Sequence, residues 1–540
     1  MPTSASCSKN PRDLRADVGI RAPNSRFRNS IELKPPVTWP LYSKPIHPAA
    51  LCQGSRYFAW HVLRSSAMRT IRNISSASAV IALAVPGLIA APAAGPLRVH
   101  PTNPGYFTDG AKNPDGSLKA VYLTGAHTWN NLVDMTREDP PGGFDFEAYL
   151  DLLEKHHHNF IRLWAWDSTM WDTRANGSLG KDFVHHVAPL PWPRTGPGQA
   201  LDGKPKFDLS RFDPAYFERL RARVSAAHKR GIYVSVMLFE GWGLMHGNQG
   251  RAAPAGWAWR SHPFHPGNNV NGLGTGAADA ITMRVHSLSN NAVNQAQALY
   301  IRKVVDTVND LDNVLYEVIN EGGEKEWDWW VVNTIREHER TKAKRHPIGI
   351  TGHGAERLAS MLASSADWIS PGRADGYAED PPAWNTNKVS LLDTDHIWGV
   401  GGNVPWVWKS FLRGHNPIFM DPYDGSVLGK TNDATWEPIR QAMGHARRLA
   451  ERINLAASQP HDELASTKYC LANPGKEYVV YQAAPSEGFS VELKAGTYQV
   501  EWLNPASGAV ADKGRVESSG GGNQFKAPFD GDAVLYLKAR

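Results

Sequence analysis

The sequence predicts a (β/α)8 barrel followed by a small antiparallel β-sandwich, and three observations carry that prediction. Between Ala120 and Tyr423 a short apolar run, a polar or aromatic tip and a longer helical stretch recur in turn. Strand and helix in alternation make a parallel sheet, and eight such units close a barrel. The apolar runs are continuous rather than alternating, as strands covered on both faces require. After about Ser458 the texture changes to short strands roughly ten residues apart, separated by Gly, Pro and Asn turns, the rhythm of a sandwich.

Before the barrel lie two stretches of different character. Residues 1–67 mix Pro, Arg and Ser without periodicity and carry no fold prediction. Residues 68–94 read as a signal peptide. Arg69 and Arg72 follow Met68 and precede an apolar run from Ala77 to Ala91, and Ala91-Pro92-Ala93-Ala94 supplies small residues for cleavage. At about 15 residues, interrupted by Pro86 and Gly87, the run falls short of a membrane span. Met68 is therefore expected to be the true start, with cleavage near Ala94, a secreted or periplasmic product and no membrane span in the mature protein. A hydrophobic anchor is the competing reading.

Composition narrows the partners. The 540 residues carry 58 Lys+Arg and 53 Asp+Glu, a net charge of +5. Residues 1–94 alone hold 12 basic and 3 acidic residues, so the rest is acidic on balance and offers no nucleic-acid surface. Of three cysteines only Cys470 follows the leader, which excludes a disulfide scaffold and a cysteine zinc cluster. Tryptophan stands out: 18 of the 20 copies lie after residue 95.

The barrel is assigned to residues 95–458. Its strands are read as 120–125, 160–166, 232–239, 314–319, 347–351, 368–370, 389–392 and 417–420, the fifth and sixth resting mainly on the count. Helical stretches are read at 146–156, 214–230, 292–309, 325–344 and 436–455. The segments 190–209 and 247–288 are too rich in Gly, Pro and Asn for plain connections and read as loops over the C-terminal mouth. Residues 459–540 form the accessory β-domain.

Barrel enzymes take their reactive side chains from the C-terminal strand ends. Here those ends carry His127, Trp129 and Asn130; Trp164 and Trp166; Glu240 and Trp242; Asn320 and Glu321; His353; and Asp393, Asp395, His396 and Trp398. Carboxylates among indole rings suit a polyhydroxylated substrate, the rings stacking on sugar C–H faces while the polar tips bond hydroxyls. No Gly-rich phosphate loop accompanies them, and no cofactor or metal is expected. Glu321, directly after Asn320 at the fourth strand end, fits a general acid/base, with Arg162 on strand two able to hold a carboxylate through paired N–H bonds. A surface glutamate in a turn is the plainer reading of the same dipeptide. Glu317, earlier on that strand, reads as a buried structural ion.

The second carboxylate is expected at the end of strand seven, where Asp393 and Asp395 share strand parity and stand roughly 6–7 Å apart if extended. Asp393 is slightly preferred, with a turn or a metal-binding pair as the alternative. His156-His157-His158 precedes strand two and belongs to the opposite, structural end. His262 and His265 lie in a mouth loop without further metal ligands in view.

These residues resemble secreted glycoside hydrolases of the large (β/α)8 clan that keeps its acid/base and nucleophile on strands four and seven. The narrower resemblance is to the apiosidase-like group with a C-terminal domain labelled collagen-binding. It rests on Asn159-Phe160-Ile161-Arg162-Leu163-Trp164, Asn320-Glu321, Asp393-Thr394-Asp395-His396-Ile397-Trp398-Gly399, the run from Tyr469 to Tyr478, and Trp502-Leu503-Asn504-Pro505. The resemblance implies an exported hydrolase of O-glycosidic bonds in polysaccharide or oligosaccharide, with Glu321 as acid/base. Aspartate replaces the clan's glutamate at strand seven. A non-catalytic carbohydrate- or matrix-binding barrel and a metal-dependent hydrolase are the alternatives.

Overall fold

The structure, a computed structural model, describes residues 91–172, 184–246, 257–274, 283–352, 354–427, 429–430, 432–483 and 488–540. Eight parallel strands close a barrel: β1 (Gly125–His127), β2 (Phe160–Leu163), β3 (Tyr233–Glu240), β4 (Val314–Asn320), β5 (Ile348–Thr351), β6 (Trp368–Ser370), β7 (Val389–Asp393) and β8 (Asn416–Met420). Every residue in them is buried, which is why the sequence shows unbroken apolar runs. The short fifth and sixth strands are present, with Gly349, Ile350 and Thr351 paired to Trp368, Ile369 and Ser370.

The first strand begins where its apolar run ends. Residues 120–124 lie outside the barrel sheet, and Val121 bridges Phe107 instead. The backbone N–H groups of Leu123 and Thr124 donate to the side chains of Asn416 and Asn159 at 2.9 Å each. Pairing with β2 then starts at Gly125, where a Cβ would lie 1.9 Å from the Phe160 carbonyl oxygen, so only glycine lets the two strands meet.

Helices α1 (Phe146–Lys155), α2 (Pro214–Lys229), α3 (Asn291–Val308), α4 (Lys325–Glu339), α5 (Ala355–Ala363), α6 (Val404–Leu412) and α7 (Glu437–Ala450) alternate with the strands. Asp145, Asp213, Asn290 and Asn403 cap α1, α2, α3 and α6 through their side-chain oxygens. The helix α4 stops at Glu339, short of the predicted 344. Among the described residues the β6–β7 connection holds a single 3-10 turn at Arg373–Asp375 in place of a long helix.

Further strands order the chain outside the barrel, among them part of the mouth segment 190–209; of the segment 247–288, residues 247–256 and 275–282 lie outside the described residues. Asp134–Thr136, Val184–Ala188 and Met170–Asp172 form one small sheet, and Arg194–Gln199 pairs with Pro205–Phe207 in a hairpin.

The C-terminal region forms a six-stranded antiparallel sheet in the order Gln459–Pro460, Cys470–Asn473, Glu477–Gln482, Ala533–Ala539, Gly496–Leu503, Val510–Ser518, and a two-stranded sheet of Phe489–Leu493 with Gly521–Phe525. The central strands of the larger sheet, Cys470–Asn473, Glu477–Gln482 and Ala533–Ala539, are buried on both faces, while the edge strand Val510–Ser518 is mostly exposed. Tyr478, Val480, Val500, Trp502 and Leu535 pack with Phe489 and Val491 of the small sheet, whereas Leu471, Val479, Tyr481, Val534 and Tyr536 join the core of the barrel. Trp408 on α6 donates its indole N–H to the Pro505 carbonyl at 3.2 Å. Barrel and β-sheets thus make one compact unit. Among the described residues no helix is long and apolar enough to cross a membrane. The expected extension and the expected signal peptide up to residue 90 lie outside the described residues. Ala93 is buried and donates its N–H to the His228 carbonyl at 3.0 Å.

Candidate active site

Arg162, on β2, sits at the centre of the C-terminal mouth, fully buried. Its Nε and Nη2 donate to the two oxygens of Glu317 at 3.1 and 2.6 Å, Nη2 also donates to Asn320 Oδ1 at 2.8 Å, and Nη1 donates to Asp393 at 3.0 Å and Asp395 at 3.2 Å. The paired bonds expected of Arg162 thus go to Glu317, which Ser235 on β3 also holds through its hydroxyl at 3.2 Å. Glu317 is a buried ion locked below the site.

Glu321 lies one residue beyond β4, at φ 42°, a left-handed conformation that costs a non-glycine residue energy. Gly322 and Gly323 follow with positive φ, and Gly241 crosses so closely that a Cβ there would stand 2.1 Å from the Glu321 carbonyl oxygen. Burial pushes the Glu321 carboxyl up to about 8, with the charge of Asp395 adding to the shift and Arg162 opposing it.

The two aspartates after β7 do not share strand parity as expected. The strand ends at Asp393, and Thr394–His396 turns into a 3-10 helix. Asp393 Oδ1 accepts the Asp395 backbone N–H at 2.9 Å, and His127 Nε2 stands 3.1 Å from the same carboxylate. Burial opposes ionisation of Asp393, but His127 and Arg162 outweigh it and hold the carboxyl well below the usual carboxylate range. The Asp395 carboxyl is shifted the other way, by burial against the pull of Arg162. Because the turn swings Asp395 across the mouth, a carboxylate oxygen of Glu321, one of Asp395 and a ring nitrogen of His396 all lie within 4.8 Å of one another.

The asparagine and the histidine are locked. Asn320 Oδ1 accepts from Arg162 and, at 3.2 Å, from His396 Nε2, while the Ser370 hydroxyl lies 2.8 Å from His396 Nδ1. Those partners put the His396 proton on Nε2. Glu240 is paired in register with Asn320, and its Oε2 accepts the Gly243 N–H at 2.8 Å while Oε1 stands 3.5 Å from Asn320 Nδ2. Burial raises its carboxyl well above the ordinary value.

The tryptophans form a packed cluster. Trp164 stacks on His127 at 5.0 Å and carries the Arg162 guanidinium 5.1 Å from its ring centre. Trp129 contacts Trp164, Trp166, Trp171 and Trp242 with centroids 5.2–6.2 Å apart. Trp129, Trp164 and Trp166 are buried, while Trp242 and Trp398 keep partly exposed faces. Asn130 donates to Asp424 on the loop after β8. His353 lies outside the described residues. At the opposite end of the barrel His156 meets Glu437 at 2.9 Å, a structural contact.

The sequence places Asp167 at the tip of strand two, after Trp166, but does not show its partners. Asp167 Oδ1 accepts the Glu240 N–H at 3.2 Å, and His286 Nε2 stands 2.9 Å from Oδ2. The two come from mouth segments far apart in sequence, so no local motif announces them. Ser370, Ser235 and Asp424 were missed for the same reason.

A closed parallel barrel with a carboxylate pair at its C-terminal mouth defines a (β/α)8 protein. Comparison with known proteins places the fold further. The profile of a domain of unknown function, DUF6298, matches residues 178–355. No curated protein matches the chain. One similar solved structure is a glycoside hydrolase, 12% identical, with a TM-score of 0.50, covering 82% of this chain and 97% of that one. Another is a glycoside hydrolase family 5 protein from Bacteroides vulgatus ATCC 8482, 12% identical, with a TM-score of 0.52, covering 82% of this chain and 93% of that one. At such identity the likeness is one of fold.

Proposed function

We propose that the protein is a glycoside hydrolase in which Glu321 is the general acid/base and Asp395 the nucleophile. The observation that carries this reading is the approach of the two carboxylates to within 4.8 Å. Retaining glycosidases hold their carboxyl groups ~5–5.5 Å apart and inverting ones ~6.5–9.5 Å apart, and one oxygen from each group within 4.8 Å supports the shorter, retaining spacing. Asp395 receives an Arg162 N–H at 3.2 Å. The proton the pair retains therefore rests on Glu321, and Asp395 bears the charge. Glu321 gives its proton to the departing glycosidic oxygen as an Asp395 oxygen bonds to the anomeric carbon. Water then attacks that carbon, returns a proton to Glu321, and frees Asp395. Asp393, the sequence preference for this role, serves better as the anchor of the turn.

The similar folds of two glycoside hydrolases support the reading. The motifs shared with the apiosidase-like group support the finer assignment, and the charged and apolar order of residues 68–94 supports export. The β-domain, whose inner sheet face joins the barrel core, acts as a brace. Release of reducing sugar from a panel of pectic and hemicellulosic polysaccharides tests the activity, with Glu321→Gln as control. Turnover that survives Glu321→Gln would overturn it.

A second reading has one observation behind it: Glu321, Asp395 and His396 are close enough to share a cation. Against it, His396 Nε2 is turned to Asn320 Oδ1 as a donor, which leaves it no lone pair for a metal. Full activity in EDTA supports the cofactor-free route, and loss restored by a divalent cation supports the metal.

A further inference from the structure

We infer that the subsite holding the sugar to be cleaved accepts an uncharged sugar and rejects a uronic acid; this rests on the glycoside hydrolase reading. Recognition of a carboxylate in a buried site needs a cation with N–H groups to spare, preferably a guanidinium offering two. Arg162 is the guanidinium at the centre of this site, and a guanidinium has five N–H groups. All five are engaged within the protein: two on Glu317, one on Asn320, one on Asp393 and one on Asp395. None remains to turn toward a substrate without breaking a buried ion pair.

The neighbouring charges make the same point. Glu317, Asp393 and Asp395, three carboxylates, surround this guanidinium. The histidines do not redress the balance. His396 is held between Ser370 and Asn320, and His127 is buried with Nε2 committed to Asp393. A uronate placed here would set its carboxylate beside Asp393 and Asp395, stripped of water and with no uncommitted guanidinium from Arg162 to pair with. An uncharged sugar meets no such barrier, and its hydroxyls can both give and accept hydrogen bonds among these groups.

Methyl-esterified uronides separate charge from size, since the ester keeps the carbon skeleton and removes the negative charge. The test measures kcat/KM of the full chain on aryl glycosides matched in configuration: glucoside, glucuronide and glucuronide methyl ester, with the galactose and galacturonate series alongside. The expected result is that each free uronide is cleaved at least ~100-fold less efficiently than its parent glycoside, and that the methyl ester recovers most of the difference. A free uronide cleaved as well as its parent, or an ester no better than the acid, overturns the inference while leaving the activity in place. Failure to cleave any neutral or esterified glycoside overturns the glycoside hydrolase reading itself, and the inference with it.

Discussion

Asp393 accepts the backbone N–H of Asp395 at 2.9 Å, so one carboxylate caps the turn that carries the other. The division of labour follows from what each touches. Asp393 is bound by His127, Arg162 and that N–H, whereas Asp395 shares the mouth with Glu321. Asp395→Ala is expected to lower turnover on the order of 10⁴-fold or more while leaving the fold intact. Azide, a small anion able to enter the space vacated, should restore turnover and give a glycosyl azide product. Asp393→Asn should behave differently: it breaks a buried ion pair and costs about 3–5 kcal/mol of stability. Urea unfolding of both variants checks the contrast.

The pH dependence has a sign that can be worked out for Glu321. Its carboxyl titrates near 4.5 when exposed and is pushed up to about 8 in the folded protein by burial and by Asp395. The acid is competent only while protonated, so turnover should fall as pH rises through about 8. Stability follows the same group. Between about pH 4.5 and 8 the folded state holds a proton that the unfolded chain has released, so this contribution to stability declines with rising pH across that window. Thermal unfolding measured at pH 5 and pH 8 should show a smaller drop in Glu321→Gln than in the parent.

How much of this was legible in the sequence depends on how local each signal is. The strands β3 and β4 are long unbroken apolar runs, and the sequence marked them to within a residue. The start of β1 was misplaced because the mostly buried run 120–124 does not pair in the barrel, the N–H groups of Leu123 and Thr124 going to two asparagine side chains and that of Val121 to the Phe107 carbonyl. Asn320-Glu321 could be read because it closes a clear strand. The turn after Asp393 could not: nothing in Asp-Thr-Asp-His states that the chain leaves the strand there, and that turn decides which aspartate faces Glu321. The tryptophans were read as separate sugar platforms, yet Trp129, Trp164 and Trp166 pack against each other, tilted or edge-on, a tertiary fact that no spacing encodes.

The β-domain should prove inseparable from the barrel. Leu471, Val479, Tyr481, Val534 and Tyr536 present one sheet face to the barrel core, and Trp408 and His445 reach the Pro505 carbonyl. Removing residues 459–540 would uncover Trp408, His445 and the helix surfaces that this face covers, at about 1.5–3 kcal/mol for each large apolar side chain exposed. The truncated barrel is expected to be insoluble, and the intact chain to unfold in a single calorimetric transition. Two separated transitions, or a soluble active barrel, would show the domain to be independent.

Gly241 offers the most sensitive test of backbone placement at the site. It follows β3 directly, donates its N–H to the Asn320 carbonyl at 2.8 Å, and passes so near Glu321 that a methyl group would meet the carbonyl oxygen at 2.1 Å and the Gly322 Cα at 2.9 Å. Those contacts are backbone atoms that cannot rotate aside. Gly241→Ala must therefore displace the segment that holds Glu321 in its left-handed conformation. A shift of about 1 Å in a reacting group can cost ~100-fold in rate. The variant should keep its far-ultraviolet circular dichroism and lose activity mainly in kcat, because Asp395 and the partly exposed Trp242 and Trp398 remain to bind the sugar. A variant with unchanged kcat would mean that the strained turn after β4 does not position the acid.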